Sequence, residues 1–413
     1  MGSEHLAFGL AEVPSAVREH LKERGATAEV IQRSLDVAGD TFGEPIPTDL
    51  VLDAEAAAFG RRHLLRAIDA AANRAAEGLR VAEDYARFVR DDAFLTRRLK
   101  NLRHAINEAL SAVPLTERLA ARDTVGDVGT SISSPSAESR LRENDLLAAN
   151  LHRAEEALRS LEEFGRLIDP TLGPAFEKLR YELYTIEKTL AAAPAAHERL
   201  AGRDLYVLLT RSRCVQPIEE VIRGAASGGA KIFQVREKEM PDRKLLSHLK
   251  AVRRWTAEAD ALLIVNDRPD LAVLCGADGV HVGQDELTVR EARHIVGSDR
   301  LVGVSAHDIE QAQVAVLDGA DYLGVGPVFP SKTKPFEAFA GLEFVRQVAA
   351  EIGLPWYAIG GIGPENIASV REAGASRVAV SAAVCTADDP RFVVTTLRSA
   401  LRAGGGQTQK PRD

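Results

Sequence analysis

The strongest constraint on the fold is a regular alternation of short β-branched runs and amphipathic helical stretches in the C-terminal half of the chain. Eight runs have the length and composition of strands: 205–210, 231–235, 261–265, 279–282, 301–304, 322–325, 356–359 and 377–380. Segments with helical periodicity, such as residues 242–257 and 341–352, follow the strands. Because eight alternating units in about 200 residues are typical of a (β/α)8 TIM barrel, we predict this α/β fold for residues 203–403. A doubly wound open sheet is the alternative, although it rarely has eight evenly spaced units.

Polar residues follow six of the predicted strands, at the end where TIM barrels place their active sites. The six segments are 234–238, 266–268, 281–286, 305–307, 326–334 and 360–363. A single polar residue after a strand is more often a helix cap or a loop residue than a functional group. Six such segments in register favour an active site at this rim.

The same segments carry ligands for a hard cation and counter-charges for a polyphosphate. The carboxylates of Asp267 and Glu286, with Asp285 nearby, are ligands of the kind that Mg²⁺ prefers, and Arg236 and Lys238 can neutralise a diphosphate. The glycines after strand seven let backbone N–H groups approach a second phosphoryl group, at the usual phosphate position of these barrels. The strand ends carry no Ser-His-acid set and no His/Cys metal cluster, which disfavours nucleophilic and zinc chemistry.

These motifs resemble those of the thiamine phosphate synthase family, and the resemblance extends over residues 204–402. In that family a Gln-x-Arg-x-Lys motif holds the pyrimidine and its diphosphate, which implies these roles for Gln234, Arg236 and Lys238. An Asn-Asp motif, here Asn266 and Asp267, and the acidic pair after Gly-Gln belong to the substrate and magnesium site. The resemblance therefore implies Mg²⁺ as the cofactor of the barrel.

Further substrate contacts are implied at the remaining strand ends. In the family, a serine after strand five contacts the diphosphate, a Pro-Thr-x-Thr-Lys loop closes over the thiazole phosphate, and a glycine and a serine complete the phosphate site. The matching residues are Ser305, then Ser331, Thr333 and Lys334, then Gly361 and Ser381. Among all these residues, we expect Lys238, Ser305 and Lys334 to be catalytic.

The implied reaction joins 4-amino-2-methyl-5-hydroxymethylpyrimidine diphosphate to 4-methyl-5-(2-phosphoethyl)thiazole and releases diphosphate. Two departures from the family pattern affect the site: the usual Gln-Glu-Asp is Gln284-Asp285-Glu286 here, and Ser331 replaces a threonine. Magnesium requires near-octahedral geometry, so whether Asp285 or the longer Glu286 is the second ligand stays open. A thiazole tautomerase-like barrel is the nearest rival, and Gln234, Lys238 and the Thr333-Lys334 pair argue against it.

Residues 61–193 carry almost no strand pattern and predict an all-α domain rich in Ala, Leu, Glu and Arg. The segment 74–80, followed by Glu83-Asp84, recurs as 153–159, followed by Glu162-Glu163. This repeat predicts two related helical hairpins around a pseudo-two-fold axis. The polar, glycine-punctuated segment 122–130 lies between them, and the Ala-Pro-rich segment 191–202 joins this domain to the barrel.

The helical stretch 62–190 resembles the hydroxymethylpyrimidine phosphate kinase domain found fused to thiamine phosphate synthases, mainly through Asn-Arg-x-x-Glu-Gly-Leu-Arg-Val-x-Glu-Asp. The resemblance implies ATP as a co-substrate, although the chain has no P-loop motif and would assemble an ATP site differently. Candidate contacts are Asn73, Arg74, Glu77, Arg80, Asp84, Arg103, His104, Asp123, Asp127 and Arg153. A solvated helix face with i,i+4 ion pairs, in a dimerisation or regulatory module, is the alternative.

The 413 residues exceed the size of one hydrophobic core, so several domains are expected. Residues 1–60 predict a small helical appendage. Within it, residues 3–35 resemble one half-repeat of the Clp chaperone N-terminal domain, which cannot bury both faces alone. Residues 404–413 predict a disordered tail.

Charge and cysteine usage restrict the partners and the compartment. A formal net charge of -8 gives no general basic field for nucleic acid or acidic membranes. Cys214, Cys275 and Cys385 lack metal-ligand spacing and disulfide density, and no apolar run is long enough for a membrane span. We therefore expect a cytoplasmic protein without nucleic-acid or membrane partners. The family resemblance implies small phosphorylated pyrimidine and thiazole substrates, and whether the chain forms a homo-oligomer stays open.

Overall fold

The structure, a computed structural model, describes residues 54–127, 142–330 and 339–403, with side chains from residue 60 onward. The predicted appendage and tail, residues 1–60 and 404–413, therefore lie almost wholly outside the described residues. From His63 onward the described residues belong to one compact unit. The boundaries proposed at residues 60, 193 and 203 stay predictions. No helix among the described residues is long and apolar enough to cross a membrane.

Eight parallel strands form a closed barrel in which β1 pairs with both β2 and β8. The strands are β1 Leu205–Leu209, β2 Ile232–Val235, β3 Leu262–Asn266, β4 Gly279–Val282, β5 Leu301–Ala306, β6 Tyr322–Val325, β7 Trp356–Ile359 and β8 Val378–Val380. Closure confirms the predicted TIM barrel and excludes the open sheet. The predicted strands match these bounds within two residues, because the buried β-branched runs coincide with the strands of the barrel.

Helices follow the strands and cover the outside of the barrel. They are α6 Ile218–Ser227, α7 Asp242–Glu258, α8 Pro269–Cys275, α9 Val289–Val296, α10 Ile309–Asp318, α11 Gly341–Glu351, α12 Ile367–Glu372, α13 Ala382–Cys385 and α14 Pro390–Arg402. Local capping fixes several of their starts: a reciprocal capping box between Thr288 and Glu291 begins α9, and the Asp308 side chain accepts from Gln311 N to begin α10.

The barrel interior is filled by side chains from alternate strand positions. Tyr206, Tyr322 and Tyr357 meet edge to face, with ring centroids 5.1 to 6.0 Å apart. A Cβ on Gly303 would lie 2.1 Å from the Tyr322 ring, so this strand position must be glycine for the tyrosine to fit. The fully buried Leu200, just before β1, packs into the same interior cluster at the amino-terminal end of the barrel.

The N-terminal part is helical, as predicted. Its helices are α1 Ala54–Phe88, α2 Ala93–Ala109, α3 Leu115–Ala121, α4 Glu143–Ile168 and α5 Leu172–Arg199. Buried residues recur along α4 at helical spacing, including Leu147, Leu151 and Leu158. A Cβ on Gly78 of α1 would lie 2.5 Å from the carbonyl of Asn150, so glycine allows α1 and α4 to approach closely.

The helical part packs against the amino-terminal face of the barrel, opposite the strand ends that carry the predicted site. Arg199 at the end of α5 donates to the carbonyls of Asp299 and Asp278, at 2.7 and 3.1 Å, in the loops before β5 and β4. The Asp92 carboxylate accepts from Gly353 N at 3.1 Å, in the loop before β7. The joining segment 191–202 is the end of a helix that continues through Pro194 to Arg199.

Candidate active site

The carboxyl ends of the strands surround an open pocket with about 1040 Å³ of empty space, part of it in the mouth. Eight of the predicted barrel residues line it, contributed by five different strand ends. They are Gln234, Arg236, Lys238, Asn266, Asp267, Glu286, Ser305 and Ser381. Residues up to 147 positions apart in the chain, from Gln234 to Ser381, therefore converge at one rim, as the barrel topology requires.

The Lys238 ammonium group lies close to two carboxylates at this rim. Lys238 Nζ lies 3.7 Å from Asp267 Oδ2 and 3.8 Å from Glu286 Oε1. Burial raises the pKa of the Asp267 carboxyl, and the negative charge of Glu286 raises it further, whereas Lys238 lowers it. Asp267 also has φ +60, an uncommon backbone conformation for a residue other than glycine and one that recurs at functional sites.

Two facing carboxylates suit a magnesium ion that is completed by water and substrate oxygens. Among the described residues, no group of three or more His, Cys, Asp and Glu side chains is placed to hold a metal. Magnesium typically binds proteins through one or two carboxylates plus substrate phosphates, so the pair fits this mode. Of the two acidic candidates after β4, Glu286 lines the pocket, whereas the exposed Asp285 is not among the residues that line it.

A chain of hydrogen bonds crosses the barrel interior beneath the pocket. Gln234 Nε2 donates to the Tyr206 hydroxyl at 2.8 Å, and the Tyr206 and Tyr322 hydroxyls are 3.0 Å apart. His281 Nδ1 lies 3.2 Å from the Tyr322 hydroxyl, and His281 Nε2 lies 3.0 Å from Ser305 Oγ. Burial lowers the pKa of His281 to about 4, so its imidazole is neutral near pH 7.

A second cavity adjoins the first at the ends of β7 and β8 and includes both predicted thiazole-phosphate residues, Gly361 and Ser381. Gly361 has φ +62, and a Cβ there would lie 2.4 Å from the carbonyl of Pro330. Asn366 orders this turn, because its side chain accepts from Gly363 N and donates to the carbonyl of Gly361. Ser331, Thr333 and Lys334 of the predicted closing loop lie outside the described residues.

Four further residues, Thr210, Arg213, His281 and His307, line the pocket beside the named candidates. His281 and His307 lie within the polar segments expected at this rim without being singled out as site residues, whereas Thr210 and Arg213 lie outside those segments. The signal for His281 was a polar residue at an inward position of β4, and the signal for Arg213 was the basic segment directly after β1, the one strand before the six segments considered.

In the helical part, the candidate residues do not form a single site, and several of them belong to two separate ion-pair clusters. Arg80 and Arg103 both contact the buried Glu83, with Arg103 Nη2 3.0 Å and Arg80 Nη1 3.5 Å from its carboxylate oxygens, and Asp84 lies 3.5 Å from Arg80. Glu83 itself was not among the candidates. The repeat reproduces this arrangement, because Arg159 and Arg180 contact the buried Glu162 at 2.9 and 3.0 Å.

A second cluster lies about 21 Å along α1 from Glu83, given 14 residues at 1.5 Å each. Here Arg122 donates to both oxygens of the buried Asp69, at 2.7 and 3.1 Å, and Arg66 lies 3.7 Å from Asp123. Asn73 Nδ2 is 3.5 Å from Asp69. The remaining candidates are Arg74, Glu77, His104 and Asp127, which are exposed, and Arg153, which donates to Asn150 at 3.4 Å.

Comparison with known proteins places both parts of the chain. A model of the thiamine monophosphate synthase family matches residues 205–384, and a model of the ThiD2 family matches residues 66–189. The protein named thiamine-phosphate synthase from Rhodopirellula baltica is 40% identical over 349 residues, which cover 82% of this chain and 93% of that protein. The one from Gloeobacter violaceus is 42% identical over 342 residues, covering 83% and 98%.

Among solved structures, thiamine phosphate pyrophosphorylase from Pyrococcus furiosus is 36% identical; the match covers 49% of this chain and 96% of that one, with a TM-score of 0.45. The alignments with these two relatives extend beyond the barrel and cover nearly the whole length of each relative. The chain belongs to the thiamine-phosphate synthase family.

Proposed function

We propose that the barrel joins 4-amino-2-methyl-5-hydroxymethylpyrimidine diphosphate to 4-methyl-5-(2-phosphoethyl)thiazole, forming thiamine phosphate and releasing diphosphate. The observation that carries this proposal is the placement of Lys238 between Asp267 and Glu286 in a pocket that Gln234 and Ser305 also line. The family relationship supports the same reaction, because the relatives are named for it.

The chemistry is a displacement at the pyrimidine methylene carbon. The bond between this carbon and the diphosphate oxygen breaks, and its electron pair leaves with the diphosphate. The thiazole nitrogen then donates its electron pair to the cationic methylene carbon and forms the new C–N bond. The protein accelerates this reaction by holding both substrates in line and by stabilising the charge that develops on the leaving group.

The proposed site residues divide between stabilising the departing diphosphate and binding the two substrates. Arg236 and Lys238 place positive charge beside the departing diphosphate, and the Ser305 hydroxyl donates a hydrogen bond to it. Asp267 and Glu286 would hold magnesium, which when bound supplies further positive charge to the diphosphate. Gln234 and Asn266 orient the pyrimidine. Gly361 and Ser381 bind the thiazole phosphate, a contact that the family resemblance also implies for Ser331, Thr333 and Lys334.

A barrel that only interconverts thiazole tautomers is the rival function, and it needs no pyrimidine-diphosphate site. The discriminating experiment supplies the full chain with both substrates, with magnesium or with a chelator, and quantifies thiamine phosphate and diphosphate. We expect equimolar products that depend on magnesium. Conversion of the thiazole without coupling to the pyrimidine would favour the rival.

For the helical part, we propose transfer of a phosphoryl group from ATP to hydroxymethylpyrimidine phosphate, with magnesium, which would make the diphosphate that the barrel consumes. The match of residues 66–189 to the ThiD2 family supports this role. A dimerisation or regulatory module is the alternative, and the engagement of Arg80 and Arg103 by the buried Glu83 favours it, because such pairs can serve the fold alone.

A variant with an inactive barrel distinguishes the two proposed roles of the helical part. Full-length Lys238→Ala is incubated with ATP, magnesium and the pyrimidine monophosphate, and the diphosphate is measured by chromatography. A kinase would accumulate the diphosphate because the barrel does not consume it. Unchanged monophosphate would favour the structural module.

A further inference from the structure

The interior hydrogen-bond chain ends at a residue that the proposed function places beside the leaving diphosphate. It connects Gln234, Tyr206, Tyr322, His281 and Ser305 through contacts of 2.8 to 3.2 Å. Gln234 is 2% exposed, His281 is 7% exposed, and both tyrosines are at most 2% exposed. In such surroundings a polar hydrogen without an acceptor is costly, so each donor is expected to be used.

The direction of this chain follows from the number of protons that each group carries. The Gln234 amide nitrogen only donates, so the Tyr206 hydroxyl accepts from it and gives its single proton to Tyr322. Tyr322 in turn gives its single proton to His281 Nδ1. A neutral imidazole with an accepting Nδ1 carries its proton on Nε2, which then donates to Ser305 Oγ.

This polarity leaves the Ser305 proton without a use inside the barrel. Because Ser305 Oγ already accepts from His281, its own proton turns to the pocket that both residues line. A hydroxyl that accepts on one side and donates on the other is a stronger donor to an anion than an isolated hydroxyl. Gly324 makes room for the imidazole, since a Cβ there would lie 3.2 Å from His281 Cε1.

We propose that His281 is a positioning residue that orients the Ser305 hydroxyl as a hydrogen-bond donor to the departing diphosphate. The inference rests on the proposed function, because it takes the Ser305 contact with diphosphate from there. It adds a role for a buried histidine, fixed by Tyr322, in the chemical step.

The test is a double-mutant cycle on the full-length chain, with kcat and the KM of each substrate measured for His281→Leu, Ser305→Ala and the double variant. We expect His281→Leu to lower kcat by about tenfold, roughly the value of one hydrogen bond, with the KM for the thiazole phosphate unchanged. In the Ser305→Ala background, the same substitution should change kcat less than about twofold, since the residue through which it acts is already absent.

Two further variants keep the test decisive if leucine impairs folding. His281→Gln places an amide N–H near the position of Nε2 and should recover part of kcat. Tyr322→Phe keeps the ring but removes the donor to Nδ1, and its effect should also vanish in the Ser305→Ala background. Thermal unfolding of every variant serves as the folding control.

The outcomes separate the two proposals. Near wild-type activity of Ser305→Ala would reject the role of Ser305 in the proposed function. An impaired Ser305→Ala combined with independent, multiplying effects of His281→Leu would leave that role intact and overturn the positioning inference. Unchanged kcat in His281→Leu would overturn it as well.

Discussion

Lys238 Nζ lies 3.7 Å from Asp267 Oδ2, although the two residues follow different strands and are separated by a complete helix, α7. Glu286, after a third strand, lies at nearly the same distance from the ammonium group. Three charged side chains from three strand ends therefore lie close together at the rim. This cluster is the proposed position of both the metal and the leaving group.

The acidic pair after β4 gives a direct comparison of two neighbouring carboxylates. Glu286 lines the pocket and Asp285 is exposed outside it, so we expect Glu286→Gln to raise the magnesium concentration needed for half-maximal rate by about tenfold or more. Asp285→Asn is the matched control and should leave the magnesium dependence within about twofold of wild type. Titration of the rate with magnesium measures both. A larger effect of Asp285→Asn would reverse the assignment.

The turn at Gly361 should bind the thiazole phosphate only while it lacks a side chain. In Gly361→Ala the new Cβ would lie 2.4 Å from the Pro330 carbonyl, so the turn must move and the KM for the thiazole phosphate should rise by about tenfold or more. Gly276→Ala is the control, because Gly276 has a similar φ of +69 but nothing within 4 Å of a Cβ. Both variants should lose about 1–2 kcal/mol of stability from backbone strain. Equal KM values in the two would contradict the phosphate role.

The helical part contains a carboxyl group whose ionisation should make stability depend on pH. Burial raises the pKa of Glu155 to about 8 from 4.5, and the hydrogen bond and charge of Glu187 contribute to the rise. A raised pKa means that the folded state holds the proton more tightly than the unfolded state. The resulting stabilisation is complete below the unfolded value and is lost as pH rises through the folded value.

Thermal unfolding at pH 5, 7 and 9 measures this contribution. The midpoint should fall with rising pH in the wild type and fall less in Glu155→Gln, which keeps a hydrogen-bond donor for Glu187 but has no titrating proton. Glu108→Gln, at an exposed position of α2 that does not contribute to this pKa rise, should follow the wild type. Parallel curves for Glu155→Gln and the wild type would remove the assignment.

The position of the helical part predicts that its product must leave before the barrel can use it. Arg199 and Asp92 attach the helices to loops at the amino-terminal face, whereas the pocket opens at the carboxyl ends of the strands. The experiment supplies labelled pyrimidine monophosphate and ATP together with an excess of unlabelled pyrimidine diphosphate. If the helical part is a kinase that releases its product, the unlabelled diphosphate should dilute the label fully, and thiamine phosphate should carry almost none of it. Retention of the label in the product would indicate direct transfer between the sites.

The sequence predicts correctly the features that a local pattern determines. The strands follow from buried β-branched runs, and the convergence of Gln234, Asp267 and Ser305 follows from parallel strands whose carboxyl ends share one face. The series of hydrogen bonds that links Tyr206, Tyr322 and His281 could not be predicted in the same way. Tyr206 and Tyr322 are 116 residues apart, and their contact depends on how the barrel closes and which positions face inward.

In the helical part, the sequence pattern indicates a repeat but does not indicate which side chains pair. Its arginines formed a suggestive repeated pattern, yet Arg103 reaches Glu83 across 20 residues of sequence, and no local spacing indicates that partner. The pattern therefore identified a real repeat of buried ion pairs, at Glu83 and at Glu162, without separating catalytic from structural arginines.

The most direct test of the central claim is the rate of thiamine phosphate formation by Lys238→Ala under saturating magnesium and both substrates. Removing the ammonium group from the position between Asp267 and Glu286 should lower this rate by about a hundredfold or more while the thermal unfolding midpoint stays close to wild type. Lys244→Ala, an exposed lysine on α7, is the control and should retain the full rate. A nearly wild-type rate for Lys238→Ala would contradict the proposal that this rim stabilises the departing diphosphate.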